Sequence, residues 1–490
     1  MAERHWIRDP LAILAEGAER GIVIEDGCIA ELVAAGTEPS APVDRVFDAA
    51  RHVVTPGLVN AHHHFYSNLT RAHPEGIDKP LMPWLTALYP RWAGKLDPDN
   101  FRLACRMALT ELLLSGCTTA SDHHAMFARG LEDAMDIQAE EAARLGMRIT
   151  LVRGSRDLSV RDGMLAPENV VETVDAILSD SERVAARYHD RSDGAMTQVA
   201  LAPDSPFTVS ETLMRESAAL AERLDCRLHT HLSERREEID AARELWGCRP
   251  VERMADLGWI SPRVWLAHAI HLDATEIATL GRNGVSVCHC PTSSMMLGAG
   301  RCRTCELEAA GVAIGLGADA SAANDVSSMI AEVRQAMLLS RLTYDPRDVT
   351  HRDALRWATE GSARCLGRRD IGAIRPGLRA DLALYRPEGL RFSGAGDPLA
   401  ALVYCAADRA DRVMVEGRWV VEDGTPRGVD VEALIAEHSR AAAAFRAGLG
   451  TQAFPRRQSP APPSSPASFE ASETDGGSVI SMCFELPPPI

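Results

Sequence analysis

Between about residues 50 and 370 the chain alternates short apolar runs with longer amphipathic ones. The short runs are HVVTPGLVNAHHHF, CTTASDHH, RITLVRGS, QVALAPDSPF, RLHTHLSE, VWLAHAIHL, VSVCHCP and VAIGLGADA. Each begins β-branched or apolar and turns polar at its end, as a buried parallel strand does when it emerges at a rim. Helical patterns lie between them. Asp99-Asn100 leads into FRLACRMALTELLLSG, Ser210 into ETLMRESAALAERL and Asp273 into ATEIATLGRNG, each opened by a capping residue. Eight strand–helix units in succession predict an α/β fold closed into a (β/α)8 TIM barrel rather than an open doubly wound sheet. No glycine-rich phosphate loop follows the first strand, which weakens a nucleotide-fold reading further.

The flanks follow another rhythm. GIVIEDGCIAEL, DLALYR and DRVMVEGRWVVEDG alternate apolar with polar and turn at Asp-Gly and Glu-Gly pairs, which is hairpin chemistry. They predict a small β-sandwich domain built from both chain ends, residues 1–54 and 370–452, with the barrel inserted over 55–369. From 453 to 490 the chain is rich in Pro, Ser and Ala without periodicity, and the expectation there is a disordered tail.

Composition narrows the partners. A net charge of −17 argues against nucleic acid or an anionic membrane face. No apolar run approaches the roughly 20 residues that span a bilayer, and charges interrupt the N-terminal stretch where a secretion signal would need an unbroken apolar region. Twelve cysteines scattered mostly through apolar runs fit reduced thiols in a cytoplasmic protein better than a disulfide framework. Nothing in the sequence sets the oligomeric state, and a homo-oligomer is compatible with it.

In a barrel the polar strand ends gather at one rim. They bring His62 and His64 from the first strand, His231 from the fifth, His268 from the sixth and Asp319 from the eighth. Residues two apart in a strand point the same way, so His62 and His64 can both face the axis while His63 points elsewhere. A lone histidine is usually a satisfied core residue, but five converging groups of ligand type predict a divalent metal held by His62, His64, His231 and Asp319. Imidazole and carboxylate suit zinc, iron or manganese. Such a centre lowers the pKa of a bound water towards neutrality. Asp319 would also take up the proton of that water, and His268, beside the metal, would orient it. Glu234, three residues past His231, is placed to act as a general acid on a ring nitrogen, although SERREE also reads as an ordinary charged helix start.

PGLVNAHHH, HTHLSE, AHAIHL and GLGADA, in that order, resemble the amidohydrolase superfamily, in its cytosine/guanine deaminase and chlorohydrolase branch. The resemblance runs from about residue 20 to 425. It implies a distorted (β/α)8 barrel, one zinc or iron with zinc the commoner, and hydrolytic removal of an amino or similar group from a heterocycle. A two-metal branch uses a carbamylated lysine on the fourth strand. The chain has only Lys79 and Lys95, both before the second strand, so one metal is expected. HHHFYSNLTRA, PWLTALYPRWA, ELLLSGCTTASDH, LVRGS and APDSPF resemble 8-oxoguanine deaminases, pterin deaminases and hydroxyatrazine amidohydrolases. The likeness implies a small heterocyclic substrate contacted by Trp84, Tyr89, His123, Arg153 and Ser205. Arg153 could grip a ring carbonyl or form a rim ion pair, and Trp84 could stack on the ring or simply pack a loop at the barrel mouth.

Two departures alter the mouth. Ser294 stands where relatives carry Asn, and Asp319 is followed by Ala320 in place of Gly. Cys288, Cys290, Cys302 and Cys305 could hold a structural zinc, though their spacing is not the commoner one. Residues 158 to 164 are expected to cover the site. The leading expectation is a deaminase of an 8-oxoguanine-like purine or pterin. The alternative with the same centre expels an alkylamine or chloride from a triazine-like ring, and an inactive scaffold would show lost ligands, of which there are none.

Overall fold

The structure is a computed structural model that describes residues 3–128 and 130–447. The expected tail at 453–490 lies outside the described residues, as do 448–452 at the end of the expected small domain.

Eight parallel strands run in chain order around one sheet: Leu58–Val59, Cys117–His124, Arg148–Ser155, Thr197–Pro203, Arg227–Leu232, Val264–His268, Ser286–His289 and Ile314–Leu316. Between the eighth and the first, the Ala61 amide donates to the Leu316 carbonyl at 3.0 Å. Asp319–Ala320 then pairs in parallel with His63–His64, so the ring is nearly closed. Period-two alternation sorts each strand's side chains. Leu151, Leu201 and Leu266 point to the surrounding helices and join the larger core. Val152, Ala200, Ala202 and Trp265 form a cluster inside the ring. Each buried leucine contributes roughly 1.5–3 kcal/mol.

The first apolar run, which reads as one strand, is divided between two sheets. Val53–Pro56 pairs antiparallel with Leu382–Tyr385 outside the barrel, and only Leu58–Val59 enters it. Gly57 makes the crossing possible, because a Cβ there would meet Thr118 Oγ1 at 2.1 Å. The helix expected to open at Asp99-Asn100 instead opens at Asp97. Asp97 and Asn100 close a capping box, and Pro98 takes the first helical position, where its missing N–H costs nothing.

Outside the barrel, Arg4–Arg8, Gly21–Glu25, Cys28–Val33 and Arg45–Asp48 form one sheet. A second contains Val53–Pro56 from the N-terminal side with Leu382–Tyr385, Arg412–Val415 and Arg418–Glu422 from the C-terminal side. Ile7, Ile22 and Ile29 of the first pack on Val54, Leu382 and Met414 of the second, giving a β-sandwich made from both ends of the chain. Its hairpins turn where expected. Asp26-Gly27, Glu416-Gly417 and Asp423-Gly424 each have positive φ at both residues, as a two-residue turn matched to strand twist requires.

Trp357–Gly361 forms a π-helical turn that packs on the eighth strand. A Cβ at Gly361 would sit 1.9 Å from the Ile314 carbonyl oxygen, a backbone atom that cannot move aside. Gly361→Ala should therefore destabilise the protein by about 1–3 kcal/mol. An unchanged melting temperature would show that the strand end yields more easily than its packing implies.

Candidate metal centre and active-site cavity

The histidine orientations can be assigned from their acceptors. His64 Nδ1 donates to the His123 carbonyl at 2.8 Å, and His231 Nδ1 to the Asp204 carbonyl at 2.7 Å. Their Nε2 lone pairs therefore face inward and stand 3.3 Å apart. His229 Nδ1 donates to the Trp265 carbonyl at 2.8 Å, which leaves its Nε2 to accept from His62 Nδ1, also at 2.8 Å. His62 Nε2 is thus a third inward lone pair, buried and without a hydrogen-bond partner. Asp319 Oδ1 lies 3.4 Å from His62 Nε2 and 3.6 Å from His64 Nε2. Three imidazole lone pairs and a carboxylate oxygen converge with no proton among them, an arrangement that repels itself unless a cation occupies the middle. The donor set fits a divalent metal, and the carbonyl and His229 partners fix the ring tautomers as metal sites require.

Backbone geometry supports the convergence. Ser233, His268, Ala269 and Asp319 all have φ between +47° and +71°, a costly conformation for residues with a Cβ that clusters at functional sites. His63 turns away to Ser327 Oγ at 2.9 Å, as the strand alternation predicts. Burial lowers the pKa of His62, His64 and His231, the last to about 4, keeping them neutral as ligands must be. Burial alone would raise Asp319, yet its carboxyl is held well below the usual carboxylate range, the positive charge of His268 among the causes. For His268, burial is outweighed by Glu234, Cys290 and Asp319, and the group is pushed up to about 10. Glu234 goes up to about 7, mainly through burial and further through the charges of Asp319 and Glu238. His268 Nε2 lies 3.8 Å from Glu234 Oε1.

Above these groups opens a cavity. Trp84, Leu85, Tyr89, Leu165 and Leu297 form its apolar walls. Trp84 sits on the helix Leu81–Lys95 rather than in a loop, and its Nε1 donates to the Ala322 carbonyl at 3.0 Å. Ser205 also lines it, and its Oγ accepts from the Phe207 amide at 3.3 Å.

Arg153 and His123 do not stand where substrate contacts were expected. Arg153 lies inside a strand, on the face turned to the helices. There it pairs with Glu172 at 2.8 Å and Asp180 at 3.0 Å and is absent from the cavity lining, so the rim ion pair is the reading that holds. Arg156, just past the strand end, reaches the cavity where Arg153 does not. Its Nη2 donates to Asp204 Oδ1 and its Nη1 to the Ala125 carbonyl, both at 2.7 Å. His123 faces the barrel axis but lies among the ligand imidazoles, with Nε2 on the Ala202 carbonyl at 3.0 Å. His229, Asp204 and Glu238 were also missed. His229 was findable, standing two residues before His231 and so on the same strand face.

Of the two departures at the mouth, Ala320 lines the cavity, whereas Ser294 is buried and donates to the Cys290 carbonyl at 2.7 Å. Among the described residues, neither group that could hold a metal includes a cysteine, so the four-thiol zinc is not formed. In the expected cover, Met164 lines the cavity together with Leu165 and Ala166, and the Val160 amide bonds the Ala166 carbonyl at 2.9 Å.

The chain is 56% identical to an 8-oxoguanine deaminase of Pseudomonas aeruginosa, over 91% of this chain and all of that protein. It is 37% identical to an isoxanthopterin deaminase from an unknown prokaryotic organism, over 81% of this chain and 87% of that one. Among solved structures, atrazine chlorohydrolase from Arthrobacter aurescens in complex with zinc superposes with a TM-score of 0.84 at 30% identity, covering 89% of this chain and all of that one. A family model described as the amidohydrolase family matches residues 53–420. The chain belongs to the amidohydrolase family, whose members bind a divalent metal.

Proposed function

We propose that this amidohydrolase removes ammonia by hydrolysis from an 8-oxoguanine-like purine or a pterin of similar shape. It would use one divalent cation, zinc in preference to iron, held by His62, His64, His231 and Asp319. The observation that carries the reading is the approach of three inward imidazole nitrogens and a carboxylate in a cavity that Glu234 also lines, its carboxyl pushed up to about 7 by burial. The 56% identity to an 8-oxoguanine deaminase over that protein's whole length supports the substrate class.

A bound divalent cation supplies Lewis acidity, which makes water a competent nucleophile at neutral pH. The chain's own groups move the protons. Glu234 gives its proton to the ring nitrogen beside the amino-bearing carbon, so that carbon becomes electrophilic. Asp319 takes one proton from the attacking water and passes it to the departing amine. As the C–N bond breaks and the new carbonyl forms, the hydroxyl proton returns to Glu234. The sum is one water consumed, one ammonia released and one ring amide formed. His268, charged and close to both carboxylates, orients the water. Trp84 gives the heterocycle a flat wall, Ser205 a hydroxyl, and Arg156 the guanidinium expected of Arg153.

The eleven described cysteines are free thiols, which supports a reducing, cytoplasmic setting. Among the described residues no helix is long and apolar enough to cross a membrane.

The test is an ammonia-release screen of 8-oxoguanine, guanine, isoxanthopterin, cytosine, adenosine derivatives and aminotriazines with the metal-replete protein. Turnover should be fastest on 8-oxoguanine or isoxanthopterin. Release of chloride or an alkylamine from triazines, with no ammonia from the bicyclic rings, would replace this reading by the other leaving groups.

The acid role sets a pH dependence. Glu234 donates only when protonated, and that form is populated below about 7. Corrected for ionisation of the purine, kcat/KM should fall tenfold per pH unit on the alkaline side. A profile flat from neutral to alkaline pH would remove the acid role.

A further inference from the structure

The helix Glu237–Trp246, which follows the fifth barrel strand, places a second carboxyl in the cavity from its first turn. Glu238 lines it together with Glu234 and Arg235. Glu238 is 8% exposed. Its Oε1 accepts from the Arg235 amide at 3.3 Å, while Oε2 is buried with no hydrogen-bond partner. A buried carboxylate oxygen without a donor is costly, so folding gives no reason to keep it there. The Arg235 guanidinium, whose side chain is 27% exposed, has its Nε 3.8 Å from Glu238 Oε1. Side by side, the cavity rim therefore offers an unfilled acceptor and a charged donor.

The group complementary to that pair is a ring lactam, an N–H next to a C=O. In an oxo-purine or oxo-pterin the lactam of the second ring lies on the same edge as the nitrogen that Glu234 protonates, one shared carbon away. Glu238 stands four residues beyond Glu234 and near enough for the two charges to interact. We propose that Glu238 Oε2 accepts the lactam N–H of the second ring and Arg235 donates to its C=O, so that the site selects oxo-substituted bicyclic rings over their unoxidised parents. This rests on the deaminase reading and names the feature by which its substrate is chosen.

Two purines without the amino group test it without turnover: 6,8-dioxopurine, which carries the lactam, and hypoxanthine, which does not. Calorimetric titration of the metal-replete protein should show 6,8-dioxopurine binding at least about tenfold tighter. Glu238→Gln and Arg235→Gln should each bring that preference down about tenfold, towards parity, as expected for a lost hydrogen bond to a charged group. Arg235 is partly exposed, so Arg235→Gln keeps the test readable if Glu238→Gln fails to fold. Equal affinity of the wild type for both purines, or variants that weaken both equally, would overturn the proposal and leave the pair as a rim ion pair. Ammonia release from 8-oxoguanine is measured alongside. Its absence counts against the deaminase reading, whereas turnover without lactam preference counts against this inference alone.

Discussion

Glu234→Gln should retain its bound cation and lose about 10²–10⁴-fold in kcat, the usual worth of a positioned general acid. The carboxamide fills nearly the same volume and touches none of the four ligand atoms, so metal content should stay at one per chain. What it cannot do is surrender a proton to a ring nitrogen. Burial and the nearby Asp319 and Glu238 tune the native carboxyl to about 7, where it is protonated in part and still a competent acid. Metal analysis and steady-state kinetics on one preparation check both halves. Turnover at the wild-type rate would leave Glu234 as a wall residue, and loss of the metal would place it in the ligand set.

His231→Ala should do the opposite and lose metal and activity together. The substitution deletes one inward lone pair and leaves His62, His64 and Asp319 with an incomplete set. Outer partners of metal ligands are typically worth 10–100-fold in affinity, and a ligand itself should be worth more. Its stability should fall as well, because a cation that binds only the folded chain stabilises it by about 2.7 kcal/mol at a hundred times its dissociation constant. A thermal melt with and without added zinc separates the cases. The wild type should shift upward with metal, whereas the variant should not respond. A variant that keeps turnover while metal-free would remove the cation from the chemistry.

The two variants probe parts of the protein that differ in how readable they were. The barrel was legible because most of its strands bury both faces along nearly their whole length, so the change in sequence from apolar to polar marks the rim. His62, His64, His231 and Asp319 sit at those changes; the structure gathers the three histidines in one cluster and His62 with Asp319 in a second. The Asp-Gly and Glu-Gly turns were legible because few residues tolerate positive φ at both central positions.

What was not legible depended on direction or on distant partners. Arg153 and Arg156 are three residues apart and chemically identical in sequence. Only the end of the strand decides that the first meets Glu172 and Asp180 and the second meets the cavity. The division of the first apolar run turns on Gly57 and Thr118, a contact between segments about sixty residues apart. Glu238 stood inside SERREE as one more surface glutamate, and its burial appears only when the start of the helix Glu237–Trp246 packs at the cavity.

The most direct test of hydrolytic deamination at this centre is a single reaction in water enriched in oxygen-18. Metal-replete protein is mixed with 8-oxoguanine, ammonia is counted, and the purine product is weighed by mass spectrometry. The expected outcome is one ammonia per purine consumed and urate carrying one heavy oxygen from solvent, with neither formed by Glu234→Gln or His231→Ala at comparable rates. No ammonia from the metal-replete wild type, or ammonia without solvent oxygen in the product, would contradict it.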